Sequence, residues 1–390
     1  TSIDHPPAST ASRTGLLHAH TGRHGARQWK GGIAHALALR LLESIQLDQQ
    51  PLSLETHRVL GQEEWELHIA STLAEDAGCR PAVASRASLD VALHSVFVTR
   101  LEQFRACQAK GRLQPHSRVF AFTGLLKLHD AGEDTGRLQR TVDEWGALGL
   151  QAWDRAAVCA ALPAIHLPRP SHGLFVSTAL SVDMDAYLQG LRVACGRAGV
   201  QFVHATATAV QPWRDRFDQV VVALGSETTS LPECRHVNLT ALKGQTVEVE
   251  WPASQPALPF PIRGEVYAAM GLSGQVCTIG ATHERRAACV HATTTAGQGE
   301  LLGKACHMLP ALHGVRVTGG RAGARSMPAQ ADGYLPLCTR VSSGVWVVAG
   351  LASKGLLYHA YLAELVAHAV CTHSTHHIPA ELMRHRSPVA

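Results

Sequence analysis

The sequence predicts an α/β fold: a layer of strands and helices assembled from separated stretches of chain, with a mostly antiparallel β domain inserted. Three stretches predict it. Val220-Val221-Val222-Ala223-Leu224, closed by Gly225, is an apolar run of the length of a buried strand. Val345-Trp346-Val347-Val348-Ala349 is a second such strand, and it runs through Gly350 and Gly355 into a helix carrying Tyr358, Leu362, Leu365 and Val366. Between them, Thr246-Val247-Glu248-Val249-Glu250 alternates with period two, the pattern of a strand with one buried face. At 390 residues the chain is long enough for two cores.

The other elements follow in chain order. Ala8 to His24 is rich in small residues and reads as a loop leading into a helix. From Lys30, apolar side chains at Ile33, Leu37, Leu41 and Ile45 share one helical face. Residues 55–164 mix helical and strand patterns, with Trp65, Phe97, Phe120 and Trp145 as expected core anchors. Asp183 is placed to cap a helix whose Met184, Tyr187, Leu188, Leu191 and Cys195 lie on one side. Gly199 ends that helix, and Val200-Gln201-Phe202-Val203 predicts the start of a strand. Gly244 to Ala281 reads as a series of antiparallel strands, and no repeat or low-complexity tract interrupts the order.

Composition excludes several classes. A 46% hydrophobic and 17% charged content is that of a globular protein, neither disordered nor fibrous. The net charge of +4 carries no long basic run, which argues against a broad nucleic-acid face. Ten cysteines stand singly from Cys79 to Cys371 without a C-x-x-C pair, against a zinc site or a disulfide scaffold and for reduced thiols. No apolar stretch reaches membrane-spanning length, and no charged start precedes an apolar block, so a cytoplasmic location is expected. The chain opens Thr1-Ser2-Ile3-Asp4, so a targeting segment, including a plastid one, would lie outside it.

Two constellations could carry chemistry. In Gly350-Leu351-Ala352-Ser353-Lys354-Gly355-Leu356-Leu357-Tyr358, two glycines permit close backbone approach, and a helix start offers unpaired N–H groups to negative charge. The same strand–glycine–helix also serves as a plain turn in any α/β fold. In Ala8-Ser9-Thr10-Ala11-Ser12-Arg13-Thr14-Gly15-Leu16-Leu17-His18, small residues suit a loop pressed against a flat ligand and its diphosphate, or simply a flexible loop.

Taken together, these segments resemble the D-amino-acid oxidase and glycine oxidase family of flavoenzymes. Ala8–His18 resembles the family's A-S-G-x-x-x-G-L-L-H stretch. Gly199–Val203 followed by Val220–Gly225 is similar to its adenine-side strand and V-V-V-A-x-G strand. Lys243-Gly244-Gln245, Gly264-Glu265-Val266-Tyr267 and Ile279-Gly280-Ala281-Thr282 resemble the substrate-domain landmarks. Gly323-Ala324-Arg325 before Gly333-Tyr334-Leu335-Pro336 resembles its G-x-R segment, and Gly350–Leu357 its final flavin loop. The flavin domain of the bacterial enzyme that makes methylaminomethyl-uridine in tRNA is similar too. The resemblance implies an FAD-binding domain from residues 1–50, 165–235 and 318–390, and a substrate domain from 51–164 and 236–317. One departure stands out. The family opens with a strand, a G-x-G-x-x-G turn and a helix that hold the diphosphate, and no G-x-G-x-x-G occurs here. The expectation is a chain lacking one βα unit upstream, roughly thirty residues.

The resemblance also implies a reaction: a primary or secondary amine, typically an amino acid, lies against the flavin and loses hydride to it, and molecular oxygen or another acceptor reoxidises the cofactor. It assigns Arg325 to the substrate carboxylate, with a structural ion pair as the alternative; Lys354 to a second cation, against a solvated lysine; and Tyr267 to closing the site, against core packing. Asp4, Ala8, Ser9, Ser12, Gly15, Leu16, Ala223, Gly225, Gly350, Ser353, Lys354, Gly355 and Leu356 are its expected FAD contacts, with His18 close by. Cys338 is the nearest candidate for covalent flavin attachment, without the expected placement. The His18-x-His20-x-x-x-His24, His283-Glu284 and His376-His377 clusters lack H-E-x-x-H or acidic ligand spacing, so no metal is expected. No G-x-S-x-G elbow suggests a hydrolase. Two other readings stay open: oxidation of a tRNA wobble-uridine side chain, which the modest charge does not favour, and a non-catalytic remnant of the fold.

Overall fold

The computed structural model of the chain describes residues 13–21, 26–47, 59–79, 86–109, 119–129, 135–163, 165–166, 172–285, 289–328 and 333–383. The fold is mixed α/β, with helices packed beside mostly antiparallel sheets.

A short strand β1 (Thr14–Leu17) and the hairpin β2 (His20–Thr21) and β3 (Ala26–Arg27) lead into α1 (Gly31–Gln46). The apolar face read in the sequence is the packed one: Ile33 and Leu37 are buried, and Leu41 and Ile45 pack at the core's rim. Helices α2 (Gln62–Asp76) and α3 (Arg86–Ala109) lie on α1. Their Trp65, Ile69 and Phe97 enter one core with Tyr358 and Tyr361 of the last helix. Trp65 and Phe120 are buried as expected, whereas Trp145 is only partly buried, at the rim of a smaller cluster.

Strands β4 (Phe120–Phe122) and β5 (Leu125–His129), helix α4 (Thr135–Trp145), β6 (Leu150–Trp153), α5 (Arg155–Ala161), β7 (His172–Val176) and β8 (Leu180–Asp183) follow. β8 pairs with β1 and β4 in a three-stranded sheet. The Asp183 side chain caps α6 (Met184–Arg197) by accepting the Ala186 N–H at 3.0 Å, and Gly199 beyond its end takes φ +84°.

After α7 (Gln211–Arg214) and β9 (Val220–Val222) the chain enters the large sheet through β10 (Leu239–Glu250), β11 (Ile262–Arg263), β12 (Tyr267–Met270) and β13 (Val276–Gly280). Helix α8 (Thr295–Met308) covers one side, and β14 (Val317–Pro328) returns along β10. Eight strands run in the order β14-β10-β13-β12-β11-β5-β7-β6. Val247, Val249, Ile279 and Leu301 fill the core under α8, so the other face is free to carry polar groups. The alternation of Thr246 to Glu250 produces this division: a period of two sends the two valines one way and Thr246, Glu248 and Glu250 the other. Finally β15 (Leu337–Ser342) and β16 (Val345–Ala349) form a sheet with β9, and α9 (Gly355–Thr372) packs on α1.

Two expected strands differ. Val200-Gln201-Phe202-Val203 forms no strand; Val203 is 74% exposed and Phe202 lies under the Arg192 guanidinium, 4.8 Å from the ring centroid. A strand needs a hydrogen-bonded neighbour, and no described residue lines up beside this segment. The Val220–Leu224 run is strand only to Val222, with Val221 and Leu224 exposed. Among the described residues its one partner is β16, so it is an edge, where burial ends early.

Candidate active site

The two parallel strands β9 and β16 are in register, Val222 beside Val347, so the chain leaves both at the same edge. There Ala223 and Gly225 follow β9 and Gly350–Gly355 follows β16, at the carboxyl ends of the strands, the usual place for a ligand crevice in an α/β sheet. Gly350 turns the chain at φ +74°, a region that favours glycine. The Ala352 N–H then donates to the Ser326 carbonyl at 2.9 Å, fixing the loop to β14. No side chain caps α9, and a Cβ built on Gly355 would meet nothing within 4 Å. The start of α9 thus leaves room beside Gly355, with the positive end of the helix dipole there, although the Leu357 N–H already donates to the Lys354 carbonyl at 3.1 Å. Lys354 donates to the Tyr334 carbonyl at 3.4 Å, and burial lowers its pKa; Ser353 is exposed beside it.

β1 closes one side of this edge. A Cβ on Gly15 would collide with the Leu356 methyl and lie 2.7 Å from the Met184 sulfur, so only glycine lets β1 and the start of α9 touch. Leu16 is partly buried, packing on a small cluster beside the large sheet. On its other side β1 is bound to the large sheet, through Thr14 Oγ1 and Thr278 Oγ1 at 3.3 Å and Arg13 to Glu248 at 3.4 Å. The following His18 has a buried Nδ1 with no hydrogen-bond partner among the described residues. Burial first, then Lys127 and His20, hold its pKa well below the usual value, so it is neutral.

The sheet face under β1 is polar. Register places Lys127, Arg263, Tyr267, Gly280, Thr246 and Arg321 in one row across six strands, all on one face. Arg325, four residues beyond Arg321 on β14, shares that face. Its guanidinium lies over Gly244, where a Cβ would sit 2.5 Å from Nη2, and donates from Nη1 to the Thr282 carbonyl at 3.2 Å. The Tyr267 ring covers Gly280 in the same way, 2.9 Å from a Cβ there. Two glycines thus leave room for an arginine and a tyrosine to lie along the sheet. Burial is the main cause of the lowered Arg325 pKa; Tyr267 acts to raise it and Arg263 to lower it. Arg321 is a different case, satisfied by Asp185 at 2.8 and 2.7 Å and by Glu248 at 3.2 Å.

The structure therefore brings Gly15, Gly350, Ser353, Lys354, Gly355 and Leu356 to one edge, with Arg325 one residue from the Ser326 carbonyl that anchors the same loop, whereas Leu16 turns its side chain to the large-sheet side of β1. Tyr267 acts on Arg325 electrostatically, raising its pKa. Asp4, Ala8, Ser9, Ser12 and His24 lie outside the described residues. Cys338 is buried in β15 and its thiol is pushed up to about 12, so it stays protonated and unreactive. His377 donates from Nε2 to the Leu365 carbonyl, 2.9 Å away, as part of the helical core.

Lys127 and Arg263 were missed in the sequence. A single lysine inside the apolar Leu125-Leu126-Lys127-Leu128 run was the available signal. Lys127 is 1% exposed and donates to the His20 carbonyl at 2.6 Å. Burial, with Arg263 second, lowers its pKa to about 7. The unfolded chain then binds more protons than the folded one between about pH 7 and its ordinary value near 10.4, so this lysine's burial penalty is full below that window and fades as pH rises through it. Lys127→Met is expected to gain stability over the wild type by a few kcal/mol more at about pH 6 than at about pH 10. Urea unfolding at both pH values checks this, and a gap independent of pH would refute it.

The sequence from residue 4 to 369 matches the family described as DAO, FAD dependent oxidoreductase. Among solved structures, glycine oxidase from Geobacillus kaustophilus is similar at 18% identity and TM-score 0.59, over 88% of this chain and 93% of that one. Iminodiacetate oxidase (IdaA) from Chelativorans sp. BNC1 is similar at 15% identity and TM-score 0.53, over 90% and 97%. L-proline dehydrogenase from P.horikoshii is similar at 13% identity and TM-score 0.55, over 87% and 91%. At these identities the likeness is one of fold. No curated protein matches the sequence.

Proposed function

Because this chain belongs to the DAO family of FAD-dependent oxidoreductases, we propose that it oxidises a primary or secondary amine bearing a carboxylate, such as an amino acid. The observation that carries the reading is Arg325. A largely buried guanidinium is costly without a counter-charge, and among the described residues its hydrogen bond is to a carbonyl and no carboxylate acts on it. A substrate carboxylate is the group that suits it.

The residues fit FAD where the structure describes them. The open space at Gly355 and the positive end of α9, which no side chain caps, suit the electron-rich edge of a flavin, and Gly15 keeps β1 thin enough to lie close by. FAD supplies the acceptor for the hydride. The chain's own residues do the rest. Arg325 fixes the carboxylate and so the substrate's orientation; Tyr267 walls the site from β12. Neutral His18 and the apolar Leu356 exclude water without adding charge beside the reacting carbon. In this reading Lys354 stands at the flavin edge, and Ala223 and Gly225, just after β9, face the cofactor. Oxygen is the proposed final acceptor. The FAD-holding half is drawn from residues 1–50, 165–235 and 318–390 and the substrate half from 51–164 and 236–317, with α2 and α3 packed on the first.

The test is spectroscopic. Purified protein incubated with FAD and desalted should retain the yellow absorbance, and a carboxylate-bearing amine should bleach it without oxygen. Colour that washes away, or bleaches with no amine, would sink the proposal.

A further inference from the structure

Two short segments support the Arg325 guanidinium: Gly244, over which it lies, and Thr282, whose carbonyl accepts from Nη1. Beside that contact the two segments are bound to each other. Lys243 and Glu284 exchange both backbone hydrogen bonds, at 3.1 and 3.0 Å, and the Thr282 N–H donates to the Gln245 carbonyl at 3.2 Å. The regular β10–β13 ladder has already ended at Thr246 and Gly280, so side chains carry much of the hold.

Their directions follow from which groups must donate. The Thr294 N–H can only donate, so the Gln245 amide oxygen faces it at 2.6 Å, and the amide nitrogen faces Glu284 Oε1, also at 2.6 Å. The Gln245 N–H donates to Thr282 Oγ1 at 2.9 Å, which leaves the single hydroxyl hydrogen for Glu284 Oε1 at 2.6 Å. Glu284 Oε2 lies 3.6 Å from the ammonium of Lys243, whose side chain is almost wholly buried. Burial pushes the Glu284 carboxyl up, but the bonds from Thr282 and Gln245 and the Lys243 charge outweigh it, so the group sits below its usual range and is ionised. Thr282 thus faces two ways, with its hydroxyl in this buried lock and its carbonyl on the arginine.

We propose that Thr282 and Glu284 are positioning residues for the substrate carboxylate: with Gln245 they hold the Thr282 carbonyl, and through it the Arg325 fork, at one angle and depth. This rests on the amine-oxidising reading of the site and names what keeps its carboxylate clamp in place. A paired arginine–carboxylate contact requires the fork to be coplanar with its partner, and ordering it before substrate arrives spares that cost on binding. A fork that has lost its support keeps its charge and loses affinity.

The test uses FAD-loaded protein. Acetate binding is measured by calorimetry, and kinetics with glycine, sarcosine and both enantiomers of alanine and proline are set beside propylamine, which has no carboxylate. Thr282→Val removes the hydroxyl, and should raise the acetate Kd and the KM of the best amino acid about tenfold, with kcat changed less than about twofold and FAD retained. Thr282→Ser keeps the hydroxyl and should stay within about threefold of the wild type. Glu284→Gln sets an amide N–H against either the Lys243 ammonium or the Thr282 hydroxyl, and should raise both constants severalfold. The deciding comparison is made in Arg325→Ala. There, Thr282→Val should change acetate affinity less than about twofold, because the group through which it acts is gone. Equal losses in the two backgrounds, or a loss for propylamine as large as for the amino acids, would make the role structural and overturn the proposal. Wild-type acetate affinity in both Thr282→Val and Glu284→Gln would overturn it too, with the Arg325 clamp left standing. Acetate affinity that Arg325→Ala leaves unchanged overturns the clamp and the lock together. Flavin that no amine reduces overturns the amine-oxidising reading, while the acetate comparison still judges the lock.

Discussion

Arg325→Ala should lower kcat/KM for a carboxylate-bearing amine by on the order of a hundredfold while FAD stays bound. The magnitude follows from hydrogen bonds between charged groups, each about 1.5–3 kcal/mol, in a site that excludes water. Removing a two-bond arginine–carboxylate pair therefore costs roughly 3 kcal/mol, and each 1.4 kcal/mol is tenfold. Flavin binding should survive because the guanidinium rests on Gly244 and the Thr282 carbonyl, on the sheet side of the site. Arg325→Lys keeps the charge but not the fork, and should recover only part of the loss. Steady-state kinetics beside the flavin spectrum measures both. An unchanged kcat/KM would remove the arginine from substrate binding, and loss of flavin would make its role structural.

Glu66→Gln should cost about 3–5 kcal/mol of stability. Glu66 lies 2.6 Å from the Lys30 ammonium, and both side chains are almost wholly buried. It also accepts from Gln62 at 3.2 Å and from the Tyr361 hydroxyl at 3.5 Å. Lys30 has a left-handed backbone, φ +50°, directly before α1, and the adjacent Trp29 carbonyl accepts from Tyr358 at 2.8 Å. One carboxylate thus joins the beginning of α1, the first turns of α2 and the middle of α9. Removing its charge leaves a buried ammonium unpaired, the costly case. Replacing both partners by apolar side chains, Lys30→Met with Glu66→Leu, should recover most of the loss, since the pair's own desolvation disappears with it. Denaturant unfolding of the single and double variants decides; equal losses in both would mean the packing, not the charge, matters.

Much of the architecture was legible because burial leaves a period in the sequence. The α1 stripe, the Asp183 cap and the Thr246–Glu250 alternation each turned into the expected element. Val200–Val203 did not, because a strand is a property of two segments, and apolar content specifies only one of them. The site was legible in part. Gly15, Gly350 and Gly355 stood out as places where backbone could approach something, and the structure sets them around one edge. Arg263 and Lys127 were invisible as site residues because their meaning lies in cross-strand register, which aligns position 127 with the distant hairpin that carries 263 and 267.

The strip from Arg13 to His20 is gripped on both sides: by Thr278, Glu248 and Lys127 of the large sheet, and by Leu356 and Met184 of the helical layer. It works as a mortise joint. Swinging the two layers apart would break the threonine bond and the lysine tether together. A shift at the start of α9 would be carried through this splint to the polar face of the sheet.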